Sequence, residues 1–437
     1  MTYTLKDILR AEVAPALGCT EPAAVALAAA TAAVLVDRQF DSLSLWLDPN
    51  TYKNGVAVAI PGAQGHTGIQ LAASLGAIGG DPLRRLEVLE GLTPEQVEAA
   101  VSFVRDHRPE THLVEGTDGI YVRVLVQGAG GEAEVTIERL HDQITSRRLN
   151  GAEVDEHPAL KGDEDERGDA EALERWLTER SLGELIELVD GADADDLTFL
   201  ASGVEYNMKL ADTGLIYGSG LGVGSTLERL VREGLVKKDM VMAARILTSA
   251  AADARMSGAP LPAMSSAGSG NHGLTAILPI RAVSDYITGA GEDEMLRAIA
   301  LSHIITAYVK AHTGRLSAVC GCSIAAGAGA TAGITYLMGG NVSHVAGAIK
   351  NLLADLAGVI CDGAKASCAL KLETAAGVAV QSALFALHGL DVKGTDGIVA
   401  TTPEQTMKNV SQLSTQGMIE ADRTILQIMV DKQFEQL

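Results

Sequence analysis

Positive charge is scarce in this chain: 34 lysines and arginines stand against 56 aspartates and glutamates, a formal net charge of −22. A surface of that sign repels phosphate backbones and anionic lipid headgroups, which excludes nucleic acid and membrane surfaces as expected partners. Aromatic residues make up only 3% of the 437 positions, so the core must be built from aliphatic and small side chains. The opening residues, MTYTLKDILRAEVAPALG, lack the apolar run of a secretory signal, and the expected location is the cytoplasm. No GK[ST] follows any glycine-rich loop, which excludes a P-loop. Asp, Glu, Lys and Arg are absent between Arg315 and Lys350. The glycines, cysteines, Asn341 and His344 of that stretch make it too polar for a spanning helix, so buried core helices are expected.

Alanine and glycine fill the gap that the aromatics leave, and they suit closely packed helices. Ala23 to Val36 reads as a buried helix, capped by Thr20 or Glu21 with Pro22 in its first turn. Strands are expected at SLSLWL (Ser42 to Leu47) and VAVAIPG from Val56, followed by a helix over PEQVEAAVSFVRDH. IYVRVLVQGAGGEAEVTIERL reads as two alternating strands joined by a hairpin at GAGGE. The expected class is α+β: an N-terminal part with a small sheet over residues 1–155, an acidic linker and surface helix over 156–195, and a larger, mostly helical catalytic part over 196–437.

Cysteine is also sparse and unevenly placed. Cys19 stands alone near the N-terminus, whereas Cys320, Cys322, Cys361 and Cys368 lie on two glycine-rich loops in the last third. In a reducing compartment such a group is more often metal-binding or catalytic than disulfide-bonded. Ordinary buried thiols are the plainer reading. Zinc is a second, although the spacing lacks the usual close CxxC pairs. Three thiolates with one open iron position would suit a 4Fe–4S cluster. Cys322 and Cys368 open helical stretches and Cys19 precedes one, where helix dipoles favour thiolates. A thiolate at Cys19 could act as base or nucleophile.

Met264 to Ile280, MSSAGSGNHGLTAILPI, is a polar turn leading into an apolar helix, and its backbone N–H groups suit a carboxylate or phosphate. YGSGLGVGS (Tyr217 to Ser225) suggests a dinucleotide site, but no strand precedes it.

GCTEPAAVALA, KNGVAVAIPG, SSAGSGNHGL, CGCSIAAGAGATAGITYLMGG and CDGAKASCALK, in this order, resemble the L-cysteine desulfidase family. That family is related to the iron–sulfur L-serine dehydratases through their alpha chain. The resemblance covers nearly the whole chain and implies an oxygen-sensitive 4Fe–4S cluster held by three cysteines. Carried over, Cys361 and Cys368 are ligands and Cys19 is the catalytic base. The first ligand is Cys320 or Cys322; Cys320, 41 residues before Cys361, matches the separation seen in the dehydratases. The dehydratases differ in the later spacing, which is longer than six residues there. The substrate set implied by the matching motifs is Ser266, Ser269, Gly270, Asn271 and His272, with Thr20 and Asn54. The implied reaction converts L-cysteine to pyruvate, ammonia and sulfide without pyridoxal phosphate. L-Serine or another β-substituted amino acid is the alternative substrate, and a non-enzymatic zinc or metabolite-binding protein is the second alternative. A homodimer is the expected assembly.

Overall fold

The computed structural model describes residues 3–434 apart from 118, 156, 161–169 and 315–317; the centre of the acidic stretch, Lys161 to Gly168, therefore lies outside the described residues. The architecture is α+β with a helical majority. Among the described residues eight strands run in chain order: β1 (Pro15–Leu17), β2 (Ser42–Leu47), β3 (Glu110–Leu113), β4 (Tyr121–Gly128), β5 (Gly131–Glu138), β6 (Ile144–Leu149), β7 (Ala152–Glu153) and β8 (Pro262–Met264). Strands β2 to β7 form one sheet in the order β3-β2-β4-β5-β6-β7, antiparallel except for the β2–β3 pair. The hairpin falls within the expected GAGGE, with Gly128 opposite Gly131 and Glu132 already paired in β5.

Val122, Val124 and Val126 alternate with more exposed neighbours, so one face of β4 is wholly apolar and buries. The Thr20–Leu35 helix lies on that face, and a period-2 face meeting an all-apolar helix forms the first core. Every residue of this helix from Thr20 to Ala33 is buried, which explains its lack of a polar stripe. Val56 to Ile60 is not a strand. It follows the short Pro49–Gly55 helix and makes only one isolated bridge, Ala59 to Thr67, because the chain turns back at Pro61–Gly65 before a partner strand can pair.

The second core is helical. Isoleucines 277, 280, 304, 305, 324 and 349 pack together there, all within 1% of full burial. The Ala170–Thr178 helix after the acidic stretch adds Leu173 and Leu177 to the same core. Cys368–Leu387 is the one described helix long and apolar enough to cross a membrane by length and composition, yet it packs against the Met240–Met256, Gly327–Leu337 and Val342–Leu356 helices.

A two-stranded sheet joins the two cores. β1 pairs antiparallel with β8, Ala16 opposite Ala263. This pairing continues past the strands: Ser265 N–H donates to the Ala14 carbonyl and Ala267 N–H to that of Glu12, each at 2.8 Å. The polar SSAGSGNHG turn, just after β8, is thus tied to the residues that precede β1, while Cys19 follows the other end of the same short strand.

Candidate active site

The Thr20–Leu35 helix begins with Cys19 itself at the capping position, and its thiol makes no cap bond to the helix backbone. Instead the thiol donates to Glu21 Oε2 at 2.9 Å, and the Thr20 hydroxyl donates to the same oxygen at 3.1 Å. Glu21 Oε1 accepts from Asn54 Nδ2 at 3.0 Å, with His141 Nε2 at 3.8 Å, an ion-pair rather than a hydrogen-bond distance. Burial and then the Glu21 carboxylate push the Cys19 thiol well above the ordinary cysteine range, and Arg255 offsets this only in part. The helix dipole therefore does not lower this thiol; the neighbouring negative charge and desolvation are larger. Burial would raise the Glu21 carboxyl, but His141 and the hydrogen bond from Cys19 outweigh it and hold it at about 2.

The polar turn folds tightly. Ser266 and Ser269 pair through their backbones, with Ala267 at φ 46° and Gly268 at φ 77° between them, before the Gly270–Ser284 helix starts. The Ser266 carbonyl lies 3.2 Å from His272 Nδ1, which must carry the proton, leaving Nε2 as the acceptor. Burial, and then Lys310, hold His272 down to about 3, so the ring is neutral. Ser266 Oγ faces away from the turn, 2.8 Å from His303 Nδ1. Arg255 is 2% exposed; it donates through Nη1 to Asn271 Oδ1 at 2.8 Å and through Nη2 to the Gly18 carbonyl, clamping this turn to the residue before Cys19.

The cysteine loops meet in the same place. Val319 and Ile360 form an isolated antiparallel bridge; Cys320 N–H donates to the Val359 carbonyl at 2.8 Å and Cys361 N–H to that of Ala318 at 2.7 Å. Side-chain alternation then puts Cys320 and Cys361 on one face of the bridge. Cys322 begins the helical run that continues to Leu337, and Cys368 is the first residue of its own helix. Gly321 between the first two cysteines is required by packing, since a Cβ there would come 2.4 Å from His272 Nε2. Gly363 turns the second loop at φ +89°, with the Lys53 carbonyl 2.3 Å from where its Cβ would be.

The four loop thiols differ. Cys320 is pulled down to about 6, chiefly by a hydrogen bond from Cys322, whose own thiol is driven well up. Burial raises Cys361, and raises Cys368 to about 11. A position at a helix start does not by itself make Cys322 or Cys368 a thiolate, because the hydrogen bond to Cys320 in the first and burial in the second are larger.

All five cysteines line one cavity, together with Asn54, Ser269, Asn271 and His272. Ser266, Gly270 and Thr20 do not line it: Ser266 is committed to His303, Gly270 packs on Arg255, and Thr20 turns to Glu21. Glu21, His141, Arg255, Lys310 and Lys371 are the charged and titratable side chains that join them, and sequence reasoning missed all five. Glu21 lay within GCTEP. Arg255 and Lys310 each share a helix with another cation, Arg245 and Arg297 respectively, so neither stood out in the sequence, and His141 carried no signal. A roomier cleft of about 410 Å³ lies between Pro49–Gly55 and the C-terminal helix, but its cations are already paired, Lys53 with Asp422 at 2.5 Å and Arg423 with Glu420 at 2.7 Å. Asp253 explains YGSGLGVGS: its carboxylate accepts from Gly224 N–H at 3.0 Å, so the protein's own side chain fills that turn.

Single-ion coordination does not fit the thiols. Among the described residues no three His, Cys, Asp or Glu side chains stand close enough to hold one metal ion, whereas zinc needs its sulfurs about 2.3 Å from a common centre. In a four-iron cluster each thiolate binds its own iron, so thiols spread around a cavity are compatible with it.

The family pattern described as serine dehydratase alpha chain matches residues 83–427. A UPF0597 protein of Desulfatibacillum aliphaticivorans is 56% identical, with 99% of each chain covered. One of Desulforapulum autotrophicum is 54% identical over 99% of this chain and 98% of its own. A third, of Clostridioides difficile, is 42% identical over 97% and 99% respectively. With a match over most of its length, and with thiols, polar turn and cations converging on one cavity, this chain belongs to the serine dehydratase alpha chain family.

Proposed function

We propose that the protein is an iron–sulfur lyase of the cytoplasm that eliminates sulfide from L-cysteine, giving pyruvate, ammonia and sulfide. The observation that carries this reading is the convergence of all five cysteines, from three separate segments, on one cavity. Cys320, Cys361 and Cys368 would hold a 4Fe–4S cluster; Cys320 is preferred to Cys322 because the Val319–Ile360 bridge sets it on one face with Cys361. When bound, such a cluster supplies an iron with an open position, a Lewis acid toward the departing group.

The rest of the chemistry falls to side chains. Arg255, Lys310 and Lys371 against the single carboxylate of Glu21 make the lining cationic, which suits an anionic centre and a substrate carboxylate. Asn271, held by Arg255, and the Ser269 turn border the same space. The Cys19 thiol gives up its proton to solvent, Glu21 orienting it through their 2.9 Å hydrogen bond, and the thiolate accepts the proton from Cα of the substrate. The Cα electron pair forms the double bond as the Cβ–S bond breaks. The resulting aminoacrylate tautomerises and takes up water, releasing ammonia and pyruvate.

L-Serine is the second reading, favoured by the family pattern itself. The deciding experiment is sulfide and pyruvate release from L-cysteine by anaerobically reconstituted protein, with L-serine in parallel. Equal sulfide and pyruvate, lost in air, are expected. Pyruvate from serine alone would transfer the site to the second reading, and neither product from iron-loaded protein would overturn both. Cys19→Ser is expected to abolish turnover at unchanged iron content.

A further inference from the structure

Lys371 is placed where helix electrostatics disfavour it. It is the fourth residue of the Cys368–Leu387 helix, and the first turn of a helix repels cations. It is nevertheless held firmly and mostly buried, its side chain 22% exposed. Its Nζ donates to the Ile360 carbonyl at 2.8 Å and to Asp362 Oδ1 at 2.5 Å. Ile360 is the bridge residue opposite Val319, so this single ammonium ties the helix that begins at Cys368 to the backbone beside Cys361 and Cys320.

Asp362 does not neutralise it. The same carboxylate oxygen also takes Lys365 at 2.6 Å, so one negative charge is shared by two lysines and a unit of positive charge is left over. Lys365 has further acceptors of its own, the Asp362 and Gly363 carbonyls at 2.9 and 3.1 Å, and does not line the cavity. Lys371 does, and its charge acts on both Cys320 and Cys361. The surplus positive charge therefore faces the sulfurs.

We propose that Lys371 is a positioning residue for the cluster: its ammonium offsets the negative charge of the thiolate-bound centre and fixes the spacing of the two cysteine loops. The inference rests on the iron–sulfur reading. It predicts two separable effects, one on cluster retention and one on redox potential. A nearby cation stabilises the more negative, reduced state, so its loss moves the potential down.

The experiment compares wild type, Lys371→Met, Lys371→Arg and Asp362→Asn after anaerobic reconstitution. Iron and acid-labile sulfide per chain are measured, along with the midpoint potential by EPR-monitored redox titration. Lys371→Met is expected to retain less than half the wild-type iron, and its remaining cluster to have a more negative potential. Lys371→Arg is expected to restore both. Asp362→Asn, which keeps the cation but loosens the loop, is expected to lose iron while its potential stays closer to wild type than that of Lys371→Met. Wild-type iron and potential in Lys371→Met would overturn the proposal. So would a Lys371→Arg protein with native circular dichroism that behaves like Lys371→Met, which decides the matter if the methionine variant does not fold. Wild type that takes up no iron would instead overturn the iron–sulfur reading itself.

Discussion

Glu21 shows how far a side chain's role depends on what is folded around it. A carboxylate beside a thiol at a helix start reads as an ordinary first-turn acid, yet here both of its oxygens are committed to Cys19, Thr20 and Asn54. Glu21→Gln keeps an acceptor for the thiol but removes the charge that binds Asn54 and orients Cys19. The expected result is a fall in kcat of about 10²–10⁴-fold with iron content unchanged, measured on reconstituted protein. The same group makes stability depend on pH. Its folded pKa, about 2, lies below the unfolded value of 4.5, so its contribution is present above pH 4.5 and is lost as pH falls toward 2. The wild-type urea midpoint is therefore expected to approach that of Glu21→Gln across that interval; a gap that widens there would contradict the assignment. Within CGC, Cys320→Ser is expected to lose most of the iron and Cys322→Ser to keep it, because only Cys320 shares a bridge face with Cys361. The cysteines were legible as a group from their clustering in glycine-rich loops. Arg255 was not singled out, since an arginine in ARILTSAAADARM has the same appearance whether it faces solvent or clamps two loops.

Among elements, those with a strong period were legible from the sequence. β2, the β4–β5 hairpin and the Pro94–His107 helix have the expected bounds because their apolar spacing admits one face only. Val56 to Ile60 has the composition of a strand but no partner, and β propensity without a partner does not make a sheet. The turn at Gly363 belongs to this scale, since it aims Cys361 and Cys368 into one cavity. Gly363→Ala imposes a left-handed alanine, about 1–2 kcal/mol, and a clash with the Lys53 carbonyl, about 1–3 kcal/mol of overpacking. Destabilisation of about 2–5 kcal/mol by urea unfolding is expected, with loss of iron. A neutral substitution would show that the turn can relax without the cluster loop.

The whole molecule joins two apolar cores that owe nothing to the proposed cluster. One is formed by the sheet and the Thr20–Leu35 helix, the other by the helices around Ile280 and Ile305, and the site lies where β1 pairs with β8. Removing iron by air or chelator is accordingly expected to abolish activity while leaving the far-UV circular dichroism within a few per cent of the reconstituted protein; a large loss of helix would mean that the cluster is part of the folding core. The sequence by itself determined the α+β class, the buried alanine-rich helix, the cysteine loops and the polar turn, because each depends on local spacing and composition. Only the tertiary structure decided that Cys19 donates to Glu21, that Cys320 and Cys361 share a face, and that Arg255, Lys310, Lys371 and His141 surround them. Those relations join residues far apart along the chain, and a burial or a charge contact has no counterpart in local periodicity until the strands and helices that carry it have packed.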